Sequence, residues 1–280
     1  MANKKLLTQD IRNVRLKAAH RRREVGDRQF VTALARGLAI LRCYRTGEIY
    51  LSNQELARRS GLAKPTVSRL TYTLTRMAFL TYSPAREEYA LGPGVLVLGH
   101  TYLTALKVRE IARPMMQALA DSVQATVTLG EHDGLHMVVV EVCHGSPTYK
   151  LRVEVGERVP RNLTALGRAN LAATPLERRV EMVEEVARQL APENHTAMVA
   201  GMLESLQEYD KLGFVVSCGE WTADLFAVGV PLIAADGNRV LSLSCSGPAH
   251  GMSRKRLVAE VGPLMMRLRD RLQKAVAGFL

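Results

Sequence analysis

Between Phe30 and Leu91 the apolar positions keep a helical period through three segments and then switch to alternation. Val31, Leu34, Leu38, Ile40 and Leu41 recur close to helical spacing across residues 30–46, and Gly47 follows as a stop. Ser52-Asn-Gln-Glu55 has the form of a capping box. It opens a short helix that turns Leu56 and Ala57 inward and ends at Gly61. Pro65 then falls in the first turn of another helix, where a missing amide donor costs nothing, and Val67, Leu70, Thr71 and Leu74 share one face of that helix. Leu80 and Tyr82, then Tyr89 and Leu91, alternate on either side of Ser83-Pro84-Ala85-Arg86, which predicts a two-stranded hairpin.

Helix, glycine turn, helix and hairpin together make a winged helix-turn-helix pattern. Gly92-Pro93-Gly94 punctuates the chain and marks a domain boundary. Residues 95–106 are apolar enough for a connecting helix that packs on something, a second copy included. Residues 108–122 predict a further helix with Ile111, Ala112, Met115 and Leu119 on one side.

Beyond Gln124 the period is two. Segments 126–130, 135–143 and 149–155 read as strands, separated by His132-Asp133-Gly134 and Gly145-Ser146-Pro147. Helical patterns follow at 163–173, 175–190 and 197–212. Strand patterns return at 214–218, 226–234 and 239–247, the last two joined by Ala235-Asp236-Gly237-Asn238, and an amphipathic helix closes the pattern at 252–276. Hairpin signals between neighbouring strands predict an antiparallel sheet with helices, an α+β domain. The domains expected are a basic extension (1–28), a winged helix-turn-helix (29–92), a linker helix (93–107) and an effector-binding and oligomerisation domain (108–280).

Charge sharpens the division. Residues 1–91 hold 18 Lys+Arg against 7 Asp+Glu, whereas residues 92–280 hold 20 of each, so the whole net charge of +11 lies in the first third. That distribution implies two domains with different partners, and nucleic acid for the first. Residues 1–28, with 9 basic and 3 acidic side chains, read as a solvated arm or as one that touches the DNA backbone or minor groove. The composition is 47% hydrophobic, 23% charged and only 5% aromatic, ordinary for a globular chain with aliphatic cores. No apolar run reaches membrane-spanning length and the first residues lack a signal-peptide pattern, so a cytoplasmic protein with no membrane partner is expected. The four cysteines, Cys43, Cys143, Cys218 and Cys245, have no paired spacing. Neither a metal site nor a disulfide framework is expected, nor any cofactor.

With Val67, Leu70 and Leu74 inward, Arg69, Tyr72 and Arg76 fall on the opposite face of their helix, with Ser68 and Thr73 at its margins. Arginine can bond a guanine edge bidentately, and hydroxyls can read bases or hold phosphates. Lys64 and Thr66 at the helix start suit backbone phosphate, helped by amides there. Arg86 at the hairpin tip suits an adjacent minor groove or phosphate, and Arg58 and Arg59 lie where the preceding helix would cross the backbone. Enzymatic signatures are missing: no GxSxG, HExxH or P-loop is present, and Cys143 and His144 are strand neighbours that point to opposite faces. No enzyme is expected.

These segments resemble the IclR family of bacterial transcription regulators. The likeness lies in Leu34-Ala-Arg-Gly-Leu38, in LSNQELARRSGLAKPTVSRLTYTL with a wing closing in YALGPGVLVLG, and in Thr164-Ala-Leu-Gly-Arg168-Ala. It continues in Leu212-Gly-Phe214, Gly219-Glu-Trp221 and VGVPLIAADGNRVLSLSCSGP, and covers roughly residues 30–278. The resemblance implies a profilin- or GAF-like effector-binding domain behind the winged helix-turn-helix, and assembly as a homodimer or a dimer of dimers on double-stranded operator DNA. It also implies an operator affinity modulated by a small metabolite, an organic or aromatic acid. The alternative is a DNA-binding regulator or architectural protein whose C-terminal domain only oligomerises. By position, Ser244 and Ser246 match the hydroxyls that face the family's ligand, and Thr164, Ala165 and Gly167 match the loop and helix start opposite them. A helix N-terminus and two hydroxyls can satisfy a carboxylate without a metal, and alternation puts Ser242, Ser244 and Ser246 on one strand face. The sequence departs from the pattern at Asn162, where many relatives have a His, and at Ser217, where many have an acid. Ala227 replaces a more polar or reactive residue. All three departures imply a less polar pocket around Ser217 and Ala227.

Overall fold

The computed structural model describes residues 29–145, 153–189, 192–234, 237 and 239–277. The basic extension 1–28, the turn at 146–147 and most of the strand expected at 149–155 lie outside these residues. The chain divides into two compact units between Ala105 and Leu106, so that the connecting helix Pro93–Ala105 goes with the first.

In the first unit α1 (Thr32–Leu41), α2 (Asn53–Ser60) and α3 (Lys64–Arg76) surround a small core of Ile40, Leu51, Leu56, Val67, Leu74 and Leu80. Gly61 ends α2 in the left-handed conformation that a side chain would oppose, with φ +69°. The wing is β2 (Leu80–Ser83) against β3 (Glu88–Leu91), pairing Leu80 with Leu91 and Tyr82 with Tyr89. A third strand that the sequence pattern did not predict, β1 (Leu51–Ser52), pairs with β3. α4 is Pro93–Ala105.

The apolar period of α1 has a different meaning from the expected one. Ile40 is buried, but Val31, Leu34 and Leu38 are exposed, and the helix is shorter than 30–46. Its spacing serves two faces, one on the core and one outward.

In the second unit α5 (Lys107–Val123) leads into a six-stranded antiparallel sheet, among the described residues, of order β6-β5-β4-β9-β8-β7. The strands are β4 (Thr126–Asp133), β5 (His136–His144), β6 (Arg158–Pro160), β7 (Val215–Cys218), β8 (Leu225–Ile233) and β9 (Val240–Pro248). Residues 153–155 of the expected third strand are loop, and the edge strand β6 begins only after the turn at Gly156. The inward face of α5 is Val108, Ala112, Met116, Leu119 and Val123, while the expected Ile111 and Met115 are only half-buried. Met115 and Met116 are adjacent, so composition alone does not choose between them.

α5 covers one face of the sheet together with α10 (Gly262–Ala275), which follows a short α9 (Arg254–Arg256) and a π-helical turn, Leu257–Val261. The other face receives α6 (Ala165–Ala172), then α7 (Leu176–Gln189) and α8 (Pro192–Leu212). Gly229 permits the approach of α6: a Cβ there would lie 2.2 Å from Ala165 O. The β4–β9 register pairs Thr126 with Ser246, Thr128 with Ser244 and Gly130 with Ser242, so these six positions share the α6 face.

Candidate functional site

The recognition-type helix is α3. It buries Val67, Thr71 and Leu74 and exposes Ser68, Arg69, Tyr72, Thr73 and Arg76 in one stripe. Lys64 is exposed and Thr66 half-buried at its start. Pro65 has no amide and Thr66 N is used on Ala63 O at 2.9 Å, so the expected amide donors there reduce to Lys64. The Thr73 hydroxyl donates back to Arg69 O at 3.0 Å.

Asn53, which sequence patterns did not single out, sets how α2 meets α3. Its Nδ2 donates to Ser68 Oγ at 3.4 Å and its Oδ1 accepts from Thr71 Oγ1 at 3.3 Å. Ser52 Oγ accepts the Glu55 amide at 3.2 Å, which is half of the expected capping box. The Glu55 carboxylate does not return to the cap. It takes Arg58 Nε and Nη2 at 2.8 and 2.7 Å and also Arg59 Nε, and the bonds from Arg58 and then Arg59 lower the pKa of its carboxyl to about 2.

Two cations of α2 therefore differ from a simple basic face. Arg58 is exposed, but its charge is matched by Glu55. Arg59 turns inward, donating to Cys43 O at 2.9 Å and to Glu48 Oε1 at 2.9 Å, and ties α2 to the segment after α1. Arg86, on the wing turn, holds its guanidinium 5.0 Å from the centre of the Tyr50 ring, a cation–π placement that keeps the charge at the tip.

In the second unit the sheet and the start of α6 enclose a cavity of about 40 Å³, room for about three water molecules. Thr164, Ala165, Ser217, Ala227, Ser244 and Ser246, all expected in a ligand site, line it together. Gly167 does not. A Cβ on it would lie 2.2 Å from Arg161 O, so this glycine allows close packing behind the site. Thr128 and Trp221, which sequence patterns did not select, complete the wall with Val139, Val153 and Val159. For Thr128 the signal was present: it alternates on the strand facing Ser244. Trp221 packs on the Met137–Val159 cluster.

The hydroxyls of this cup are largely occupied with one another. Thr128 Oγ1 and Ser244 Oγ are 2.6 Å apart, and Thr164 Oγ1 donates to Pro160 O at 2.7 Å while accepting from Gly167 N at 3.1 Å. Among the described residues Ser246 Oγ has only a long contact, 3.5 Å, to Thr126 O. Thr164 is the N-cap of α6, which leaves the first two amides of the helix, Ala165 N and Leu166 N, without an intrahelical acceptor at the cavity wall. Ser217 Oγ stands 3.1 Å from Leu163 O and 2.8 Å from Glu220 Oε2. An acid thus reaches position 217 from three residues further on. Burial opposes ionisation of Glu220, but the Ser217 hydroxyl and the Arg168 charge outweigh it and hold the carboxyl below its ordinary value.

The cysteines are not part of this wall. Cys245 lies on the opposite sheet face and burial pushes its thiol up to about 12, while burial also raises Cys218 against the opposing influence of Arg254. Among the described residues no cluster of His, Cys, Asp or Glu is arranged to hold a metal, and no helix is long and apolar enough to cross a membrane.

Known proteins match this architecture along most of the chain. The IclR helix-turn-helix domain matches residues 33–84, and the C-terminal domain of bacterial transcriptional regulator IclR matches residues 100–270. The HTH-type transcriptional regulator TsaQ1/TsaQ2 of Comamonas testosteroni is 34% identical over 246 residues, 87% of each chain. The crystal structure of an IclR family transcriptional regulator from Brucella abortus superposes with a TM-score of 0.85 at 38% identity, covering 91% of this chain and 95% of the other. An IclR homolog from Microbacterium hydrocarbonoxydans, complexed with 4-hydroxybenzoate, shares the fold with a TM-score of 0.65 at 19% identity, over 87% and 99% of the two chains. With both family domains matched in order and a relative of this identity along its length, the chain belongs to the IclR family of DNA-binding bacterial transcriptional regulators.

Proposed function

We propose that this regulator reads a specific operator through the exposed stripe of α3, and that a small organic or aromatic acid held in the C-terminal cup modulates its affinity for that operator. The observation that carries the effector reading is the start of α6, where Ala165 and Leu166, whose amides have no intrahelical acceptor, line a cavity with hydroxyls, aliphatic side chains and Trp221. A carboxylate suits the amides and the helix dipole. An apolar body suits Val139, Val153, Val159 and Trp221. The 4-hydroxybenzoate in the Microbacterium homolog supports the same ligand class.

Seating an acid in so tight a cup, with about 40 Å³ of free space, would shift its walls. The effector then favours one conformation over another, and operator affinity changes by that difference in binding free energy. In the DNA-binding unit Arg69, Tyr72 and Arg76 would meet base edges, with Ser68 and Thr73 beside them, while Lys64, Thr66, Arg86 and, more weakly, Arg58 would meet the backbone.

Self-association fits the same unit. Phe30, Val31, Leu34 and Leu38 of the α1 segment are exposed, as are Leu96, Val97 and Leu98 of α4, a helix with no buried residue at all. A second copy covering these faces gives a homodimer, or a dimer of dimers, suited to two half-sites.

Two measurements test the proposal. Genomic fragments selected by the purified protein at near-physiological salt are expected to share an inverted repeat; uniform recovery of all DNA would mean backbone attraction alone. Calorimetric titration with 4-hydroxybenzoate and other small aromatic acids is expected to show binding that Ser246→Val weakens. An absence of binding across that set would leave the C-terminal domain as an oligomerisation module.

A further inference from the structure

Behind the cup, between α6, α8 and β7, lies a second and larger space, a polar cleft of about 650 Å³. Its inner wall is the Arg168 side chain, only 7% exposed. Arg168 Nε donates to Asn162 O at 2.9 Å, and Nη1 donates to Ser205 Oγ and Glu220 Oε1 at 3.0 Å each. Nη2 has no acceptor among the described residues. It faces Gly201, where a Cβ would stand 3.7 Å away. A guanidinium taken so far out of water normally fills all its donors.

The other charges around the cleft show what is missing. Glu220 is matched by Arg168 and Ser217, and Glu208 by Val216 N at 3.1 Å and by Arg254. What is left toward the cleft, among the described residues, is the donor edge of Arg168 Nη2, the Lys211 ammonium, and the side-chain amides of Asn162 and Gln207, which can donate or accept. The Glu204 carboxylate also lines it, so the formal charges around the cleft balance. A ligand that completes Arg168 must bring an acceptor oxygen, and a carboxylate matches the planar edge of a guanidinium.

We propose that this cleft is a second small-molecule site, distinct from the cup, that takes a small dicarboxylate or hydroxycarboxylate through Arg168 Nη2, with Gln207 and Lys211 holding its far end. Gly201 keeps the entrance open opposite the guanidinium. Cup and cleft stand on either side of the Ser217–Glu220 pair, so their occupants can be told apart by variants on each side.

The test titrates the full-length protein with succinate, malonate and lactate in chloride buffer, by isothermal calorimetry. At least one of the three is expected to bind. Gly201→Leu fills the cleft beside Arg168 Nη2, and leucine favours a helix more than glycine. Losing the charge-assisted bond should weaken binding by about tenfold or more, with the melting temperature held or raised. Ser246→Val, which narrows the cup, should leave the binding unchanged. If Gly201→Leu lowers the melting temperature, the exposed-end variants Lys211→Ala and Gln207→Ala carry the test and should each weaken binding. Failure of all three acids to bind, binding indifferent to the cleft variants, or binding lost on Ser246→Val would each overturn the proposal.

Discussion

Ser217 Oγ lies 2.8 Å from Glu220 Oε2, and the other oxygen of that carboxylate lies 3.0 Å from Arg168 Nη1. A cup hydroxyl, an acid and a buried guanidinium therefore form one chain. Glu220 is held below the ordinary carboxylate value in the folded state, so its contribution to stability is present at neutral pH and is lost as pH falls through that lowered value. Glu220→Gln should cost about 1–3 kcal/mol at neutral pH, because Arg168 stays buried with its charge less well matched. It should also flatten the acid side of the stability profile. Urea midpoints measured from pH 7 down to the acid limb check this. A profile parallel to wild type would show that Glu220 is not ionised in the folded protein.

If the exposed stripe of α3 meets base edges while Lys64 meets backbone, as proposed, variants at the two separate. Arg69→Ala is expected to remove operator preference at a cost of about 1–3 kcal/mol. Lys64→Ala should weaken all sequences alike and reduce the salt slope by about one. Arg58→Ala should do little to either, since Glu55 already matches its charge. Fluorescence anisotropy against specific and random duplexes at several salt concentrations distinguishes the three. Unchanged operator affinity for Arg69→Ala would sink the groove assignment.

Much of this fold was legible because local chemistry and the final structure agree. Leu56, Val67 and Leu74 are inward both by period and by burial, and the wing follows from alternation across Ser83–Arg86. Where two apolar faces share one helix, as for Ile40 and Leu34 on α1, period alone does not say which meets the core. Residues 158–160 are too short a strand to alternate. Asn53 and Glu220 were invisible for a further reason: each acts on a side chain brought near it by folding, so spacing along the chain carries no signal. Gly167 shows the converse, a motif glycine that is needed for packing behind the cup.

The exposed face of α4 makes a prediction about assembly. Leu96 and Val97 are 75% and 63% exposed, and surface substitutions at such sites usually change monomer stability by less than about 0.5 kcal/mol. Leu96→Glu combined with Val97→Lys should therefore leave each subunit folded while dissociating the assembly. Sedimentation velocity reads the mass, and far-ultraviolet circular dichroism reads the fold. An unchanged assembly would exclude α4 from the interface.

Ser242 continues the row of Ser244 and Ser246 on β9, but lies outside the cup wall. It is fully buried, and its Oγ has no hydrogen-bond partner among the described residues. Its register partner on β4 is Gly130, whose missing side chain leaves room for Leu166 rather than an acceptor. A buried hydroxyl without a partner costs about 1–3 kcal/mol in desolvation, and replacing it with a shape-matched apolar group removes that cost. Losing one oxygen atom opens only a small void, so the desolvation term outweighs the packing term. Ser242→Ala should therefore raise stability by about 1 kcal/mol, in contrast to Thr128→Val, which strips Ser244 of its 2.6 Å partner and should lower it. Equilibrium urea unfolding of both variants decides the matter. A destabilised Ser242→Ala would mean that the hydroxyl is matched in solution by an ordered water.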